Sequence, residues 1–293
     1  MPNSRTAKQV PYFCLNLEEV GILAKAISAV SLALILQVAP RCFAQSQKTT
    51  DAFNDYIATA EVHITKMRSR PETFLADDSL PPDQRLAVMA RLGKGEVVIE
   101  KQGSGSPEIP GGLIHDWVGT VLIPKAAVAQ VIALVQDYDH SADHYSPDVM
   151  KSRLISRHDD DFQAFLRLKK HKVITVVLDT EYNVHYGRLD ATHQYSFSRS
   201  TRISEIAEPD TPNEHALPAG KDHGFMWRLN SYWAFEQTEE GVLVECEAIS
   251  LTRDIPTGLG FMVGPFVNSI PRESLQFTLE ATRKALTDTK QDH

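Results

Sequence analysis

The sequence predicts an α+β protein, a curved antiparallel sheet covered on one face by a C-terminal helix. Two observations carry that prediction. Six strand-like segments follow one another from Val149 to Arg253 with only short turns between them, so neighbours must run antiparallel rather than in βαβ order. The chain then closes with Arg272–Leu286, where Leu275, Thr278, Leu279 and Thr282 recur near one helical face and Pro271 stands at the start. A sheet with one apolar face needs such a cover.

Composition bounds the function classes. The 293 residues are 42% hydrophobic and 23% charged, which excludes a disordered or repeat-tract polymer and leaves room for one large domain with a leader, or two modest ones. A formal charge of −8 gives no support to a protein that tracks phosphates, so nucleic acid is not an expected partner. Three cysteines, Cys14, Cys42 and Cys246, make neither a disulfide framework nor a cysteine-rich zinc site.

The first element is a leader. Ile27–Ala39 is uncharged and 13 residues long, against the roughly 20 of a membrane span. Lys25 precedes it, and Cys42 and Ala44 stand at −3 and −1 of a cut after Ala44. Residues 1–44 are therefore expected to be a signal peptide. The long leading region with Glu18 and Glu19 leaves two alternatives, an uncleaved anchor in the inner membrane and a buried core helix. The expected location is outside the cytoplasm, in the periplasm. Removing residues 1–44 takes away a net +2, leaving −10 and a single cysteine, Cys246, on the remainder.

The next stretch, 45–110, reads as a helical extension. Phe53, Tyr56, Ile57, Ala60 and Ile64 recur near the 3.6 period within Asp51–Arg68. Pro81-Pro82 opens a second helix through Leu92, Glu96–Glu100 is strand-like, and Gly103–Gly112 is the clearest linker. From Leu113 the pattern strengthens. Leu113–Ile123 is a strand stopped by Pro124, Lys125–Asp137 carries Val128, Val131, Ile132 and Val135 on one helical face, and the six strands and closing helix follow.

From Leu113 to Leu286 this order resembles the helix-grip fold of the START-like (SRPBCC) superfamily. The likeness is carried by TVLIP, by AAVAQVIALVQDYDHSADHYSPDV, by the hairpin YWAFEQTEEGVLVECEAISL and by the closing PRESLQFTLEATRKAL. The combination GFMWRLNSYWAFE, VECEAISLTRDIPTGLGF and VGPFVNSIPRESL is similar to an exported bacterial group of that superfamily. The resemblance implies a helix-grip domain over 111–288 and a hydrophobic ligand held between the sheet and the last helix; residues 289–293 are expected to be a disordered tail. It specifies a fold more than an activity, because the superfamily shares no catalytic motif.

The hairpin shows which side chains would line such a cavity. With Glu239-Glu240 at its turn, Trp233 faces Cys246 and Ser231 faces Ala248. One face then carries Trp227, Leu229, Ser231, Trp233 and Phe235 beside Cys246, Ala248, Ser250 and Thr252, with Trp117 from the earlier strand. Large aromatics opposite small residues either interlock as core or leave a cleft, and the resemblance favours the cleft. The other face carries Arg228, Asn230, Tyr232 and Glu236 beside Glu245, Glu247 and Arg253, and its charges Arg228, Glu245, Glu247 and Arg253 are expected to form a solvated lattice of ion pairs. Within the glycine-rich stretch 255–270, residues 257–267 are expected to form a loop. Its Leu259, Phe261, Met262 and Phe266 form either a lid or mouth that touches a membrane transiently, or a buried ordered loop.

Other chemistry finds little support. His140 and His144 stand four apart near Asp137, Asp139 and Asp143, but no Glu follows His140 as in the metalloprotease signature, and no metal is expected. His115, Asp116, His185 and Tyr145 are the remaining acid–base candidates, with His115 and Asp116 pointing to opposite sheet faces. No G-x-S-x-G elbow is present and no Lys-Ser/Thr follows Gly103-Ser104-Gly105-Ser106, which excludes those hydrolase and phosphate-loop signatures. The expectation is a non-catalytic binding or transfer protein for a lipid, quinone or polyketide-like molecule, with no cofactor. Two alternatives stand beside it: a cyclase/dehydrase-like enzyme, and a protein-interaction module in which Asp51–Leu92 docks a partner over a filled core.

Overall fold

A computed structural model describes residues 46–103, 107–172, 174–254 and 260–288, with 260–268 and 288 described by backbone alone. The expected leader at 1–44, the tail at 289–293, Leu259 and the side chains of Phe261, Met262 and Phe266 lie outside the described residues.

The extension packs onto the sheet. Helix α1 (Gln47–Met67) is capped by Ser46, whose hydroxyl accepts from the Thr49 backbone N–H at 3.1 Å. Two short 3₁₀ turns lead to α2 (Pro82–Gly93), which begins on a proline as helix N-termini favour. Strand β1 (Val98–Lys101) pairs antiparallel with β3 (Gly112–Pro124), so the extension contributes an edge strand to the main sheet. Part of the expected linker is also paired. β2 (Glu108–Ile109) turns tightly onto β3 through Gly111, whose φ of +72° is one that favours glycine.

Helix α3 (Val128–Gln136) and the short α4 (Ser141–His144) precede β4 (Val149–His158), β5 (Asp161–His171), β6 (Thr175–Arg188) and β7 (His193–Ala207). The two-residue β8 (His215–Ala216), then β9 (Arg228–Gln237) and β10 (Gly241–Arg253) complete the sheet. Its order is β1-β3-β10-β9-β7-β6-β5-β4, with every pair antiparallel. Trp233 pairs with Cys246 and Ser231 with Ala248, the register that the hairpin turn predicts.

The closing helix departs from the expectation. Helix α5 spans Gly260–Asp288, so most of the segment read as a loop is helical, and Pro265 and Pro271 lie within it. Proline removes a local hydrogen bond, a penalty that a helix of 29 residues anchored by packing absorbs. The anchor lies on β3. A Cβ on Gly119 would sit 2.7 Å from Leu279 Cδ1 and 3.2 Å from Leu275 Cδ2, so the missing side chain lets α5 rest on the strand.

The sheet is covered on both faces. On the inner face Leu275 and Leu279 of α5 and Val128 and Val131 of α3 pack against Val121, Ile123, Phe235, Val244 and Cys246. On the outer face Phe53, Ile57 and Ile64 of α1 pack against Ile114, Tyr232, Ile249 and Leu251. Phe74, Leu75, Val88 and Leu92 cover Leu122, Ala234 and Leu243 beside them. Burying each such side chain is worth about 1.5–3 kcal/mol. The extension is thus the outer layer of the sheet.

Candidate functional site: the concave face

The pairings place three rows of side chains across the inner face. One row runs Phe162, Val184, Ser198, Ser231, Ala248, Trp117 from β5 to β3. A second runs Tyr186, Ser196, Trp233, Cys246, Gly119. The third joins Leu229, Ser250 and His115, with Tyr182 opposite Ser200. The middle of the concave face is therefore a floor of serine and alanine, walled by Phe162, Tyr182 and Tyr186 on one side and by Trp117 and Trp233 on the other.

The residues predicted to line a cavity divide into three groups. Trp117, Leu229, Ser231, Trp233 and Ala248 lie on the inner face and are half-buried, although all but Trp117 sit on the central strands β9 and β10. Ser250 and Thr252 are buried beside His115, while Phe235 and Cys246 are packed into the cluster under α3 and α5. Trp227 is a correction. It precedes β9, where the alternation ceases to apply, and packs in the outer cluster with Ile249 and Leu251, its indole N–H donating to Asp222 at 2.7 Å.

Several inner-face residues escaped the sequence reading. Tyr182, Val184 and Tyr186 on β6 and Ser196, Ser198 and Ser200 on β7 alternate with a period of two, a signal that was available once those strands were registered. Tyr138, after α3, donates to the Tyr186 hydroxyl at 2.9 Å, and Tyr186 donates to the Val135 carbonyl at 3.0 Å. Burial pushes the Tyr138 and Tyr182 phenols up to about 12, so both remain neutral.

The curvature, the strand order and the long helix over the concave face settle the architecture. The fold is START-like. No family model matches the sequence, and no curated protein matches it. Among solved structures, the START-like domain is similar to a START superfamily protein from Mycobacterium smegmatis, at 12% identity and a TM-score of 0.42, covering 60% of this chain and 99% of that one. A STAR-related lipid transfer protein from Xanthomonas axonopodis gives 20% identity and a TM-score of 0.41, with 65% and 98% covered. An aromatase/cyclase from Streptomyces gives 11% and 0.43, with 59% and 94% covered. Similarity at this level concerns the fold alone.

Of the acid–base candidates, the START-like fold brings His115 alone to the inner face as a buried group. Its Nε2 lies 3.0 Å from Thr252 Oγ1, and burial, reinforced by Lys101, pushes its pKa down to about 4. Tyr145 meets Thr282 Oγ1 at 3.0 Å under α5, and burial raises its phenol to about 12. His185 is exposed on the outer face, 2.8 Å from Asp161. His140 is exposed and bonds Asp137 at 2.8 Å, and no group of three metal ligands exists among the described residues.

The outer face overturns the expected solvated ion-pair lattice. Glu245 is fully buried and Glu247 nearly so, because α1 and the 3₁₀ turns lie over them. Arg68, at the end of α1, donates to the backbone carbonyls of Trp233 at 2.8 Å and Tyr232 at 3.0 Å, with Glu245 at 3.8 Å. The Ala76 N–H donates to Glu245 at 2.7 Å, and the Tyr56 hydroxyl to Asp116 at 2.8 Å. Burial raises Glu245 to about 7 despite Arg68. It raises Asp116 and Glu247 as well, and the charge of Asp116 adds to the shift of Glu247.

Proposed function

We propose that the chain is a non-catalytic binding or transfer protein for a hydrophobic small molecule, a lipid, an isoprenoid quinone or a polyketide-like compound. The ligand lies between the inner sheet face and α5. Residues 1–44 direct export, and contact with a membrane during loading is transient.

The observation that carries this reading is the serine and alanine floor. Packed layers stand about 10 Å apart, and Ser198, Ser231 and Ala248 are too short to span that distance. Ser231, Leu229, Trp233 and Ala248 accordingly remain half-buried on the central strands, while α3 and α5 fill the end around Val121, Phe235 and Leu279. Apolar walls with a few hydroxyls are the lining that a ligand of this class needs.

Two features weigh against an enzyme. General acid–base catalysis works best with a group poised near neutrality. Among the described inner-face residues the buried imidazole of His115 lies near 4 and the Tyr138 and Tyr182 phenols near 12. The carboxyls shifted toward neutrality are on the other side of the sheet, under α1. The interaction reading loses its motive too, since Phe53, Ile57, Ile64 and Met67 of α1 are spent on the chain's own sheet.

Native mass spectrometry of the purified protein, followed by organic extraction and identification of any released compound, tests the proposal. A bound apolar molecule of defined mass is expected. An unliganded mass throughout, with no thermal shift from a panel of quinones and phospholipids, would overturn it.

A further inference from the structure

Two buried polar atoms on the inner face have no hydrogen-bond partner among the described residues. They are Nδ1 of His115 and Nε1 of Trp117. The other buried, unpartnered side-chain atoms belong to Arg68, Asp77, Asp116, Glu236 and Glu245, all on the outer side or in the extension. Leaving a buried polar group unpaired costs about 1–3 kcal/mol, so a pair of them in a ligand cavity marks where a ligand supplies the missing partners.

Their chemistry is complementary. The Thr252 hydroxyl lies 3.3 Å from the Arg253 carbonyl and 3.0 Å from His115 Nε2, and both contacts are satisfied together when the hydroxyl donates to the carbonyl and the ring donates to the hydroxyl. In that tautomer the ring proton is on Nε2 and Nδ1 is a bare acceptor. Trp117 Nε1–H is only ever a donor. The two residues are i and i+2 on β3, their Cα atoms about 7 Å apart on the same face. His115 is completely buried, and Lys101 Nζ lies 5.5 Å from the centre of the Trp117 ring.

We propose that His115 and Trp117 form the polar anchor of the ligand cavity and bind a hydroxyl group, so that the ligand is a neutral apolar alcohol or phenol. The hydroxyl donates to His115 Nδ1 and accepts from Trp117 Nε1. This rests on the cavity reading above. His115, kept neutral at physiological pH by burial together with Lys101, offers a carboxylate no charge of its own, and Lys101, the cation beside Trp117, is exposed.

A series of matched probes tests it: dodecan-1-ol, 1-methoxydodecane, dodecane and dodecanoate, each titrated into the wild-type protein by calorimetry or by displacement of a fluorescent dye. The ether accepts but cannot donate, and the alkane does neither. The expected order is alcohol over ether over alkane, each step about tenfold. His115→Phe removes the alcohol–ether step and leaves the ether–alkane step. Trp117→Phe does the reverse, and serves independently if the histidine variant fails to fold. Equal affinity for all three neutral probes, or tighter binding of dodecanoate than of dodecan-1-ol, would overturn the anchor while leaving the cavity standing. Binding of none of the four would overturn the cavity reading and the anchor with it.

Discussion

The Tyr56 hydroxyl donates to Asp116 at 2.8 Å beneath α1, near the buried Glu247, whose carboxyl is pushed up by burial and by the charge of Asp116. Burial disfavours the charged form of both carboxyls, so the folded chain holds protons there to a higher pH than the unfolded chain does. The extension that covers the outer sheet face is therefore docked over groups that prefer acid.

The first prediction concerns pH. Glu247, Asp116 and Glu245 have folded values raised above the ordinary carboxylate range, Glu245 to about 7. The folded state then binds more protons than the unfolded state, and its stability falls as pH rises from about 4.5 through those values. Thermal unfolding at pH 5 and pH 9 is expected to give the higher Tm at pH 5 for this contribution. Glu247→Gln, which keeps the shape and cannot ionise, is expected to raise Tm by about 2–4 °C at pH 9 and to change it little at pH 5. An equal change at both pH values would contradict the account.

Arg68 gives the second. It is almost fully buried and holds two carbonyls of β9 while facing Glu245. Arg68→Met leaves those carbonyls and the carboxyl without their cation and is expected to cost about 3–5 kcal/mol in urea unfolding. Adding Glu245→Gln removes the orphaned charge and is expected to recover part of the loss. Failure of the second substitution to recover any stability would show that the two side chains are not coupled.

The sequence made the sheet legible where the rules are local. The turn at Glu239-Glu240 fixed the hairpin register, and period-two alternation assigned Leu229, Ser231, Trp233, Ala248 and Ser250 to one face. It misjudged the other face because the cover comes from far away: Arg68 meets Trp233 across 165 positions, and nothing near Glu245 or Glu247 announces that α1 lies over them. Trp227 went astray for the opposite reason, since alternation was extended one residue beyond the strand. The start of α5 was hidden by Gly260, Gly264 and two prolines, residues whose local preference is against helix. The importance of His115 was similarly out of reach, because an unpartnered nitrogen is visible only when every neighbour is placed.

The three tryptophans provide the most direct test of the claim that an apolar molecule lies on the concave face. Trp117 and Trp233 are on that face and Trp227 is on the other. 11-Bromoundecan-1-ol, a contact quencher of indole fluorescence, is titrated into Trp227→Phe and into the double variant Trp117→Phe/Trp233→Phe. Saturable quenching in the first and none in the second is the predicted result. Equal quenching of Trp227 alone, or no quenching in either protein, would contradict a ligand cavity between the sheet and α5.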